Sequence, residues 1–509
     1  MADKNELDRR TAAKILGSGV LGITLSPWLG GCHSTSPKPP SRSRPRPNVL
    51  FIMTDDHAWS ALGLHGNRIL KTPSLDRIAN EGTRLDQAFV TNSLCLPSRA
   101  SFLTGQYSHT HGMITNGEES GFPNEPKLQH ETTWPNLLRR SGYYTGVVGK
   151  WHINTPPAGF DRTAVLPGQG MYFDPEIIID GTTTRQSGHT DDVIGDQALA
   201  FLQNRPTDRP FCLLLQFKAP HRSWEPAPRF AKVFEDVEIP LPRTYFEKLD
   251  ARPQAVQKAQ MSVAEMPDFA ERGVPADLPP DERARANYQT LIKNYYRVLL
   301  GVDENVGRVL ALLDRAALAA DTIVLYTSDN GFFLGEHGLF DKRLMYEPSI
   351  RVPMLLRWPA GITAGRVDNR HLALNIDVAP TLLDLCGVAV PPSMQGKSWS
   401  PLLHQDSPAW REDFLYEYYE FPAAHCVRPH RGVRGQRWKI IHFWREPEEW
   451  ELYDLESDPD EMENLARKPE HAEQLRRMQA RLAELRHEFG DIDPPGYVPT
   501  PPDPGPCPA

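Results

Sequence analysis

The sequence predicts an α/β fold in which a large sheet-and-helix domain precedes a smaller C-terminal α+β domain. Residues 49–53 and 323–326 form apolar runs of strand length, and acidic or amide side chains follow each run directly. Continuous apolar runs of this length are typical of strands in an α/β sheet. The stretch "YYRVLLGVDENVGRVLALLDR" supports this interpretation, because its apolar residues recur with helical periodicity and it leads into the second strand.

A change of pattern marks the smaller domain. "RWKIIHFW" and "EWELYDL" are predicted to be short strands, and "HAEQLRRMQARLAELRHEF" is predicted to be a closing amphipathic helix with a charged outer face. We therefore expect a large domain over residues 47–400, the smaller domain over residues 401–490, and a loose proline-rich tail over residues 491–509.

The amino-terminal residues are predicted to lie outside this fold. Arg9 and Arg10 precede a modestly apolar stretch that ends in "LGGC" at Cys32. This order resembles a twin-arginine export signal over residues 1–32 joined to a lipoprotein processing site, with Cys32 as the lipidated first residue of the mature chain. A frayed amphipathic start is the alternative. Residues 33–46, rich in Pro, Ser and Arg, are then predicted to be a tether.

These features predict where the protein works and what it contacts. The expected location is the periplasm or the cell surface, as an exported lipoprotein. Membrane contact is expected only through the lipid on Cys32, because no second apolar run is long enough to span a bilayer. A net charge of -9 over 509 residues, without a basic stripe, predicts no nucleic-acid partner.

Carboxylate and amide side chains follow two of the predicted strands. Asp55 and Asp56 follow the first strand, and Asp329 and Asn330 follow the later one. Ligands of α/β sheets bind just beyond the carboxyl ends of strands, and hard oxygen atoms are the ligands that Ca²⁺ or Mg²⁺ prefers. These four residues are therefore candidate metal ligands. The alternative is that they serve as turn residues and helix caps.

The stretch "NSLCLPSRASFLTGQ" predicts a helix that begins near a cysteine. Pro97 suits the first turn, and Gly105 is well placed to end the helix. Cys95 then lies at the N-terminus, and Arg99 lies one turn later over the same surface. Free N–H groups, the helix dipole and the guanidinium together favour an anion. A thiol there would have a lowered pKa, so catalysis by a thiolate is one mechanism, and a core or disulfide cysteine is the simpler alternative.

Two further predicted strand ends carry basic side chains. Residues 143–148 lead to Lys150 and His152, and residues 211–217 lead to His221. Lys150 and His152 are two residues apart, so in extended backbone both would project from one side. A single histidine is more often structural than catalytic. Four strand ends with complementary chemistry nevertheless predict one active site.

Two of these stretches resemble the signatures of type I sulfatases. Cys-Leu-Pro-Ser-Arg and Leu-Thr-Gly within residues 95–105 resemble the first signature, and Gly-Lys-Trp-His at residues 149–152 ends a stretch that resembles the second. The similarity runs from "PNVLFIMTDD" to "WELYDLESDPDEMENL" and so covers residues 47–465. It implies a large mixed-sheet domain of the alkaline phosphatase superfamily.

The resemblance also implies the nucleophile. In type I sulfatases a separate maturation enzyme oxidises the signature cysteine to formylglycine, whose aldehyde hydrates to a geminal diol. Cys95 would be its precursor here, with Pro97 and Arg99 part of the sequence that the maturation enzyme reads. One diol oxygen would attack the sulfur of a sulfate ester. The other hydroxyl would let the intermediate collapse to the aldehyde and expel sulfate.

The resemblance further implies a metal site. It implies Ca²⁺ in preference to Mg²⁺. The implied ligands are the two polar pairs and the formylglycine position, namely Asp55, Asp56, Cys95, Asp329 and Asn330.

The resemblance also implies catalytic roles for the basic residues. Arg99 and Lys150 would steady the formylglycine, and His152 would help deprotonate its second hydroxyl. His221 and Lys342, the latter from "GLFDKRLMYE", would contact the sulfate and protonate the leaving oxygen.

The substrate is predicted from the similarity of segments. "KAPHRSWEPAPRF", "DVEIPLPRTYFE" and residues 430–459 resemble sulfatases that act on N-acetylglucosamine 6-sulfate or related glycosaminoglycan and mucin sugars. The candidate sugar-binding residues are polar or aromatic side chains, namely His337, Arg343, His425, His430 and Trp450. Each is alternatively a solvated or packed side chain.

Other functions stay open at this point. They are a sulfatase that acts on another sulfated glycan or on aryl sulfates, a phosphodiester or phosphonate hydrolase, and a sulfated-glycan-binding lipoprotein without turnover. Catalysis by the unmodified thiolate would leave the predicted metal site without a role. The site is complete in sequence, so the prediction is a sulfuric ester hydrolase whose partners are a sulfated carbohydrate and the maturation enzyme.

Overall fold

Strands and helices alternate along most of the large domain. The computed structural model describes residues 46–117, 126–266, 274–404, 409–445 and 447–491. The strands in these ranges are β1 (Asn48–Thr54), β2 (Thr83–Leu85), β3 (Ala88–Phe89), β4 (Tyr144–Lys150), β5 (Arg162–Leu166), β6 (Glu176–Ile179), β7 (Thr182–Arg185), β8 (Phe211–Gln216), β9 (Thr322–Ser328), β10 (Phe333–Leu334), β11 (Phe340–Asp341), β12 (Met354–Arg357), β13 (Arg366–Asp368), β14 (Ala373–Leu374), β15 (Asp413–Tyr418), β16 (His430–Gly435), β17 (Trp438–Phe443) and β18 (Glu449–Asp454). The helices are α1 (Pro73–Asn80), α2 (Cys95–Thr104), α3 (Ser108–His111), α4 (Trp134–Arg140), α5 (Thr190–Asn204), α6 (Gln254–Gln257), α7 (Pro280–Arg315), α8 (Glu347–Ile350), α9 (Val378–Leu385), α10 (Ser400–His404) and α11 (Ala472–Phe489).

The large domain is built on one mixed sheet. Ten strands of the described chain form it, in the order β13-β2-β12-β9-β1-β8-β4-β5-β6-β7. The central strands from β9 to β5 run parallel. Antiparallel pairing begins on either side, where β12 joins β9 and β6 joins β5. The predicted α/β fold with a large mixed sheet is confirmed.

Helices cover both faces of the central strands. In β1, Leu50 and Ile52 belong to the hydrophobic cluster that includes residues of α5 and α7. Val49, Phe51 and Met53 belong to a second cluster that includes residues of α2, α4 and α9. Alternate side chains of a strand point to opposite faces. Burial on both faces therefore explains why this strand is an uninterrupted apolar run, and each buried side chain contributes about 1.5–3 kcal/mol.

A four-stranded antiparallel sheet forms the C-terminal part. Its order is β15-β16-β17-β18, and α11 adds Met478, Leu482 and Leu485 to its hydrophobic cluster. The predicted strands and closing helix of this region are confirmed. The same cluster includes Phe89 and Tyr107 of the large domain, so the small sheet and the large domain share a buried core.

Two residues that the sequence placed outside the folded body belong to it. Arg46, expected in the tether, stacks over the ring of Tyr143. Asp491, expected in the tail, is buried. The rest of the predicted export signal, tether and tail, at residues 1–45 and 492–509, lies outside the described residues. Among the helices that the structure describes, none is both long and apolar enough to cross a bilayer.

An ion pair joins the large domain to the small sheet. The Nδ1 atom of His109 on α3 lies 2.6 Å from Oε2 of Glu417 on β15, and its Nε2 atom lies 3.0 Å from the carbonyl oxygen of Phe489. Burial opposes protonation of His109, but the Glu417 carboxylate outweighs burial and raises the pKa of His109 to about 9.

We expect this ion pair to make the free energy of unfolding depend on pH. Because the pKa of His109 is higher in the folded protein than the ~6.5 of an unfolded chain, its stabilisation is complete below about pH 6.5 and is lost as the pH rises to about 9. The difference amounts to about 3 kcal/mol. Urea unfolding of the native protein and of His109→Gln, across this pH range, should show the two free energies converging at high pH. Parallel curves would contradict the prediction.

Candidate active site

Four neighbouring parallel strands end at one edge of the sheet. They are β9, β1, β8 and β4, adjacent in that order. Polar pairs follow β9 and β1, Lys150 ends β4, and Lys218 and His221 follow β8. Parallel strands in register bring their carboxyl ends together. The tertiary structure therefore assembles in one place the strand ends that are separated along the sequence.

Cys95 is the first residue of α2 and is 1% exposed. The helix ends at Thr104, and Gly105 caps it with a φ of 67° and donates its N–H to the carbonyl of Ser101 at 2.9 Å. The Cys95 Sγ atom lies 3.5 Å from Oδ1 of Asp55. The helix begins and ends as predicted, and it directs the side chain at position 95 toward the first acidic pair.

Without a bound cation, the protein groups around Cys95 do not activate its thiol. Burial, reinforced by the Asp55 carboxylate, raises the pKa of the Cys95 thiol well above its ordinary value. The expectation of a lowered pKa is therefore wrong. The reason is that the helix N-terminus and Lys342 act on a group that has lost its water and faces a carboxylate. A thiol that stays protonated at neutral pH is a poor nucleophile.

The carboxylates at this edge fit a divalent cation. Asp55, Asp56 and Asp329 are buried and offer oxygen atoms within 4.8 Å of one another. Asn330 donates from Nδ2 to Oδ1 of Asp56 at 2.6 Å, while its buried Oδ1 atom has no hydrogen-bond partner among the described residues. A divalent cation would balance the clustered negative charge and coordinate the unpaired amide oxygen.

The three carboxylates differ in their tendency to ionise. Burial raises the pKa of Asp56 to about 7, although Lys342 opposes this. Burial, together with the charge of Asp55, raises the pKa of Asp329 to about 6. Burial also opposes ionisation of Asp55, but the basic side chains around it, above all Lys150, hold its pKa well below the ordinary value. A bound cation would favour the ionised form of all three.

Arg99 and Lys342 pair with the carboxylates. The Arg99 guanidinium donates from Nε to Asp329 at 2.9 Å and from Nη2 to Asp55 at 3.2 Å. Lys342 donates from Nζ to both carboxylate oxygens of Asp56, at 2.7 and 2.8 Å. Both cations are buried. Removing either would leave an unpaired buried charge, which costs about 3–5 kcal/mol.

The end of β4 requires a glycine. Gly149 has a φ of 98°, and a Cβ atom there would lie 1.8 Å from the carbonyl oxygen of Gln216 on β8. This close approach lets Lys150 form an ion pair with Asp55. His152 has a φ of 45°, so the prediction of extended backbone through Lys150 and His152 is wrong. The strand ends at Lys150, and His152 adopts a left-handed conformation.

His221 lies on the other side of the acidic cluster. Its Nε2 atom is 3.9 Å from Oδ2 of Asp56, and its Nδ1 atom is 2.7 Å from the carbonyl oxygen of Arg222. Burial and the charge of Lys150 lower the pKa of His221 well below its ordinary value. In this state the imidazole is neutral at neutral pH.

Two residues of the site were not among those predicted from the sequence. Lys218 donates from Nζ to the carbonyl oxygens of Gln169 and Arg222, at 3.2 and 3.3 Å. Burial and Lys150 lower the pKa of Lys218 to about 8. The position of Lys218 at the same strand end as His221 was a usable signal. Gln169 follows β5 in a turn that carries no recognisable pattern.

Comparison with known families accounts for this arrangement. Residues 47–388 match the family model described as Sulfatase. The chain belongs to the sulfatase family. It is therefore a sulfuric ester hydrolase with the alkaline phosphatase-like fold. Residues 335–488 also match the family described as N-sulphoglucosamine sulphohydrolase, C-terminal.

Relatives of this sulfatase align over most of their length. The N-acetylglucosamine-6-O-sulfatase of Bacteroides thetaiotaomicron is 38% identical, with coverage of 90% of this chain and 89% of that protein. The N-acetylglucosamine-6-sulfatase of Homo sapiens is 28% identical, with coverage of 87% and 84%. A solved structure, described as a complex with its substrate D-glucosamine-2-N,6-O-disulfate, is 38% identical with a TM-score of 0.82. It aligns over 88% of this chain and 99% of that chain.

A second ionic network borders Lys342 in this sulfatase. Asp341 lies 3.2 Å from Nε2 of His425 and 3.4 Å from Nε of Arg343. Arg343 also donates to Oε1 of Glu420 at 2.5 Å. Two of the predicted sugar-binding residues, Arg343 and His425, are thus held next to the catalytic cluster.

The other three predicted sugar-binding residues are buried or have partners within the protein. The Nδ1 atom of His337 lies 2.5 Å from Oε2 of Glu247. His430 is fully buried. Trp450 stacks on His442 with ring centroids 3.7 Å apart. These contacts favour the alternative of packed side chains, and a role of the three residues in sugar binding stays a prediction.

Proposed function

We propose that this sulfatase hydrolyses the 6-O-sulfate ester of N-acetylglucosamine or of a related glucosamine residue in a glycan. The observation that carries the proposal is 38% identity over 90% of the chain to an N-acetylglucosamine-6-O-sulfatase. The related structure in complex with D-glucosamine-2-N,6-O-disulfate adds support, because that substrate carries sulfate at the same oxygen.

The nucleophile is proposed to be formylglycine, made from Cys95 by a maturation enzyme. The Cys95 thiol stands where the hydrated aldehyde would lie, beside Asp55. The hydrated aldehyde supplies one hydroxyl to attack sulfur and a second whose deprotonation releases sulfate. The raised pKa of the thiol makes the unmodified cysteine the weaker candidate. Because Cys95 is 1% exposed, the maturation enzyme must reach it before the chain folds.

Ca²⁺, in preference to Mg²⁺, is the proposed metal. Asp55, Asp56, Asp329 and Asn330 would hold it through carboxylate and amide oxygens, together with the formylglycine. Ca²⁺ accepts several carboxylates in irregular geometry, whereas Mg²⁺ is smaller and keeps several waters. The bound cation would supply charge stabilisation at a sulfate oxygen.

The basic residues are proposed to stabilise charge and to transfer protons. Arg99 and Lys150 hold Asp55 in place, and they would steady the charge on the nucleophile side. His152 would accept the proton of the second hydroxyl. Lys342 stays charged, because Asp56 outweighs burial and raises the pKa of Lys342 well above its ordinary value.

His221 is the proposed proton donor to the leaving oxygen, with Lys342 beside it. Both side chains contact Asp56, which places them together at one side of the cluster. His221 is neutral in the substrate-free site, and an anionic sulfate ester would favour its protonation. Arg343 and His425 are the proposed contacts to the sugar, because the Asp341 network holds them next to Lys342.

Sulfate release from a panel of singly O-sulfated monosaccharides and short glycans tests this function. The protein would be expressed with a maturation enzyme, and the Cys95 peptide would be checked for the aldehyde by mass spectrometry. Ion chromatography is expected to detect sulfate only from the 6-sulfated glucosamine sugars. Release from another sugar would keep the reaction and contradict the substrate. Turnover of the phosphate analogue instead would favour a phosphoester hydrolase.

We also propose that the protein is exported and anchored by lipid on Cys32. The order of Arg9, Arg10 and the "LGGC" segment supports this. Cys426 is disulfide-bonded, which is typical of an oxidising compartment. The Cys32→Ala protein should move from the membrane fraction to the soluble fraction of fractionated cells. Retention in the membrane would contradict lipid anchoring.

A further inference from the structure

Gln169 joins three basic groups of the active site. It lies between β5 and β6, and its Oε1 atom accepts a hydrogen bond from Nζ of Lys150 at 2.5 Å. Its Nε2 atom lies 3.1 Å from Nε2 of His152, and its carbonyl oxygen accepts from Nζ of Lys218 at 3.2 Å. A single residue of a turn therefore contacts the side chains of Lys150, His152 and Lys218.

The contact with Lys150 determines the orientation of the Gln169 amide. A lysine ammonium can only donate, so the amide atom that faces Lys150 is the oxygen. The amide nitrogen then faces His152 and can only donate. The Nε2 atom of His152 must therefore be the acceptor, and in the neutral ring the proton is on Nδ1.

This tautomer suits a base. A histidine that removes a proton from a hydroxyl needs an unprotonated nitrogen within the site. The Gln169 amide favours the tautomer that leaves Nε2 of His152 unprotonated. Nε2 has one lone pair, so the hydroxyl must replace the amide N–H there before His152 can accept its proton. The same amide holds Lys150, which is paired with Asp55. A group that holds a catalytic histidine in one tautomer has a large effect on rate, although it never touches the reacting atoms.

We propose that Gln169 is a positioning residue that selects the Nδ1-protonated tautomer of His152 and holds Lys150 against Asp55. The inference rests on the proposed function, because it assigns His152 the role of base. It adds a residue from outside both sulfatase signatures to the catalytic machinery.

Steady-state kinetics of three variants test the proposal. Gln169→Leu removes both side-chain hydrogen bonds at similar volume, and it should lower kcat by about 10-fold to 100-fold while KM changes by less than about 3-fold. Gln169→Glu keeps an acceptor for Lys150 but cannot donate to His152 when ionised, so it should not restore kcat. Gln203→Leu, at an exposed position of α5, is the matched control and should behave as the native protein. Melting temperatures verify that each variant folds.

A second measurement determines the tautomer of His152 and does not depend on turnover. NMR of isotope-labelled histidine rings, with His152→Gln to assign the signal, should show His152 protonated on Nδ1 in the native protein and a change in this signal in Gln169→Leu.

Three results would overturn the proposal. A raised KM with unchanged kcat in Gln169→Leu would make Gln169 a substrate contact. Native kinetics of this variant, or an unchanged tautomer of His152, would show that Gln169 does not position the histidine. If the native protein releases no sulfate, the proposed function fails, and the NMR result still decides the positioning role.

Discussion

Replacement of Cys95 by alanine is expected to abolish sulfate release and to leave the fold intact. The reaction depends on the group made from this side chain, so the rate should fall by about 10⁴-fold or more. Only one buried sulfur atom is lost from the start of α2, which should cost about 1 kcal/mol of unfolding free energy. Ion chromatography of released sulfate and thermal unfolding measure the two effects.

Two other free cysteines of the described chain provide matched controls. Cys212 on β8 and Cys386 after α9 are buried and free, as Cys95 is. Cys212→Ala and Cys386→Ala lose the same atom and should keep near-native turnover. If either control is as inactive as Cys95→Ala, the nucleophile assignment fails.

Expression without a maturation enzyme separates the two mechanisms at Cys95. Formylglycine chemistry predicts an inactive protein whose Cys95 peptide retains the thiol. A thiolate mechanism predicts full activity in the same sample. The raised pKa of the thiol leads us to expect inactivity.

Removal of divalent cations is expected to have the second largest effect on activity and also to lower stability. Chelation should abolish activity and lower the melting temperature, because the oxygen atoms of Asp55, Asp56 and Asp329 lie within 4.8 Å of one another and repel without a cation. A ligand present at a hundredfold excess over its Kd stabilises by about 2.7 kcal/mol. Ca²⁺ should restore both properties more fully than Mg²⁺, as measured by calorimetry and sulfate release.

A buried aspartate outside the cluster serves as the control. Asp303 accepts hydrogen bonds from the backbone N–H groups of Ser74 and Leu75 at 2.9 Å. Asp303→Asn should lower stability and keep the Ca²⁺-dependent rise in melting temperature. Asp329→Asn should lose that rise and the activity. An unchanged Ca²⁺ response in Asp329→Asn would show that the cation binds elsewhere.

Local pattern was sufficient to predict much of the fold and of the site. The apolar run of β1 predicted a strand, and the structure shows that alternate residues of this strand bury against helices on opposite sides. Pro97 and Gly105 predicted the limits of α2, because each has a backbone preference that acts within one turn. The strand ends predicted which carboxylates and basic side chains meet, since parallel strands share one edge.

Only the tertiary structure decided properties that depend on burial and on distant neighbours. Cys95 lies at a helix N-terminus, which favours an anion, yet burial, reinforced by the Asp55 carboxylate, raises the pKa of its thiol. Gln169 reached Lys150 and His152 from a turn without any pattern, because its role depends on contacts across the fold. The sequence by itself determined the elements and the residue types at their ends. The charge state and packing of those residues were decided by desolvation and non-local contacts, which are properties of the folded chain.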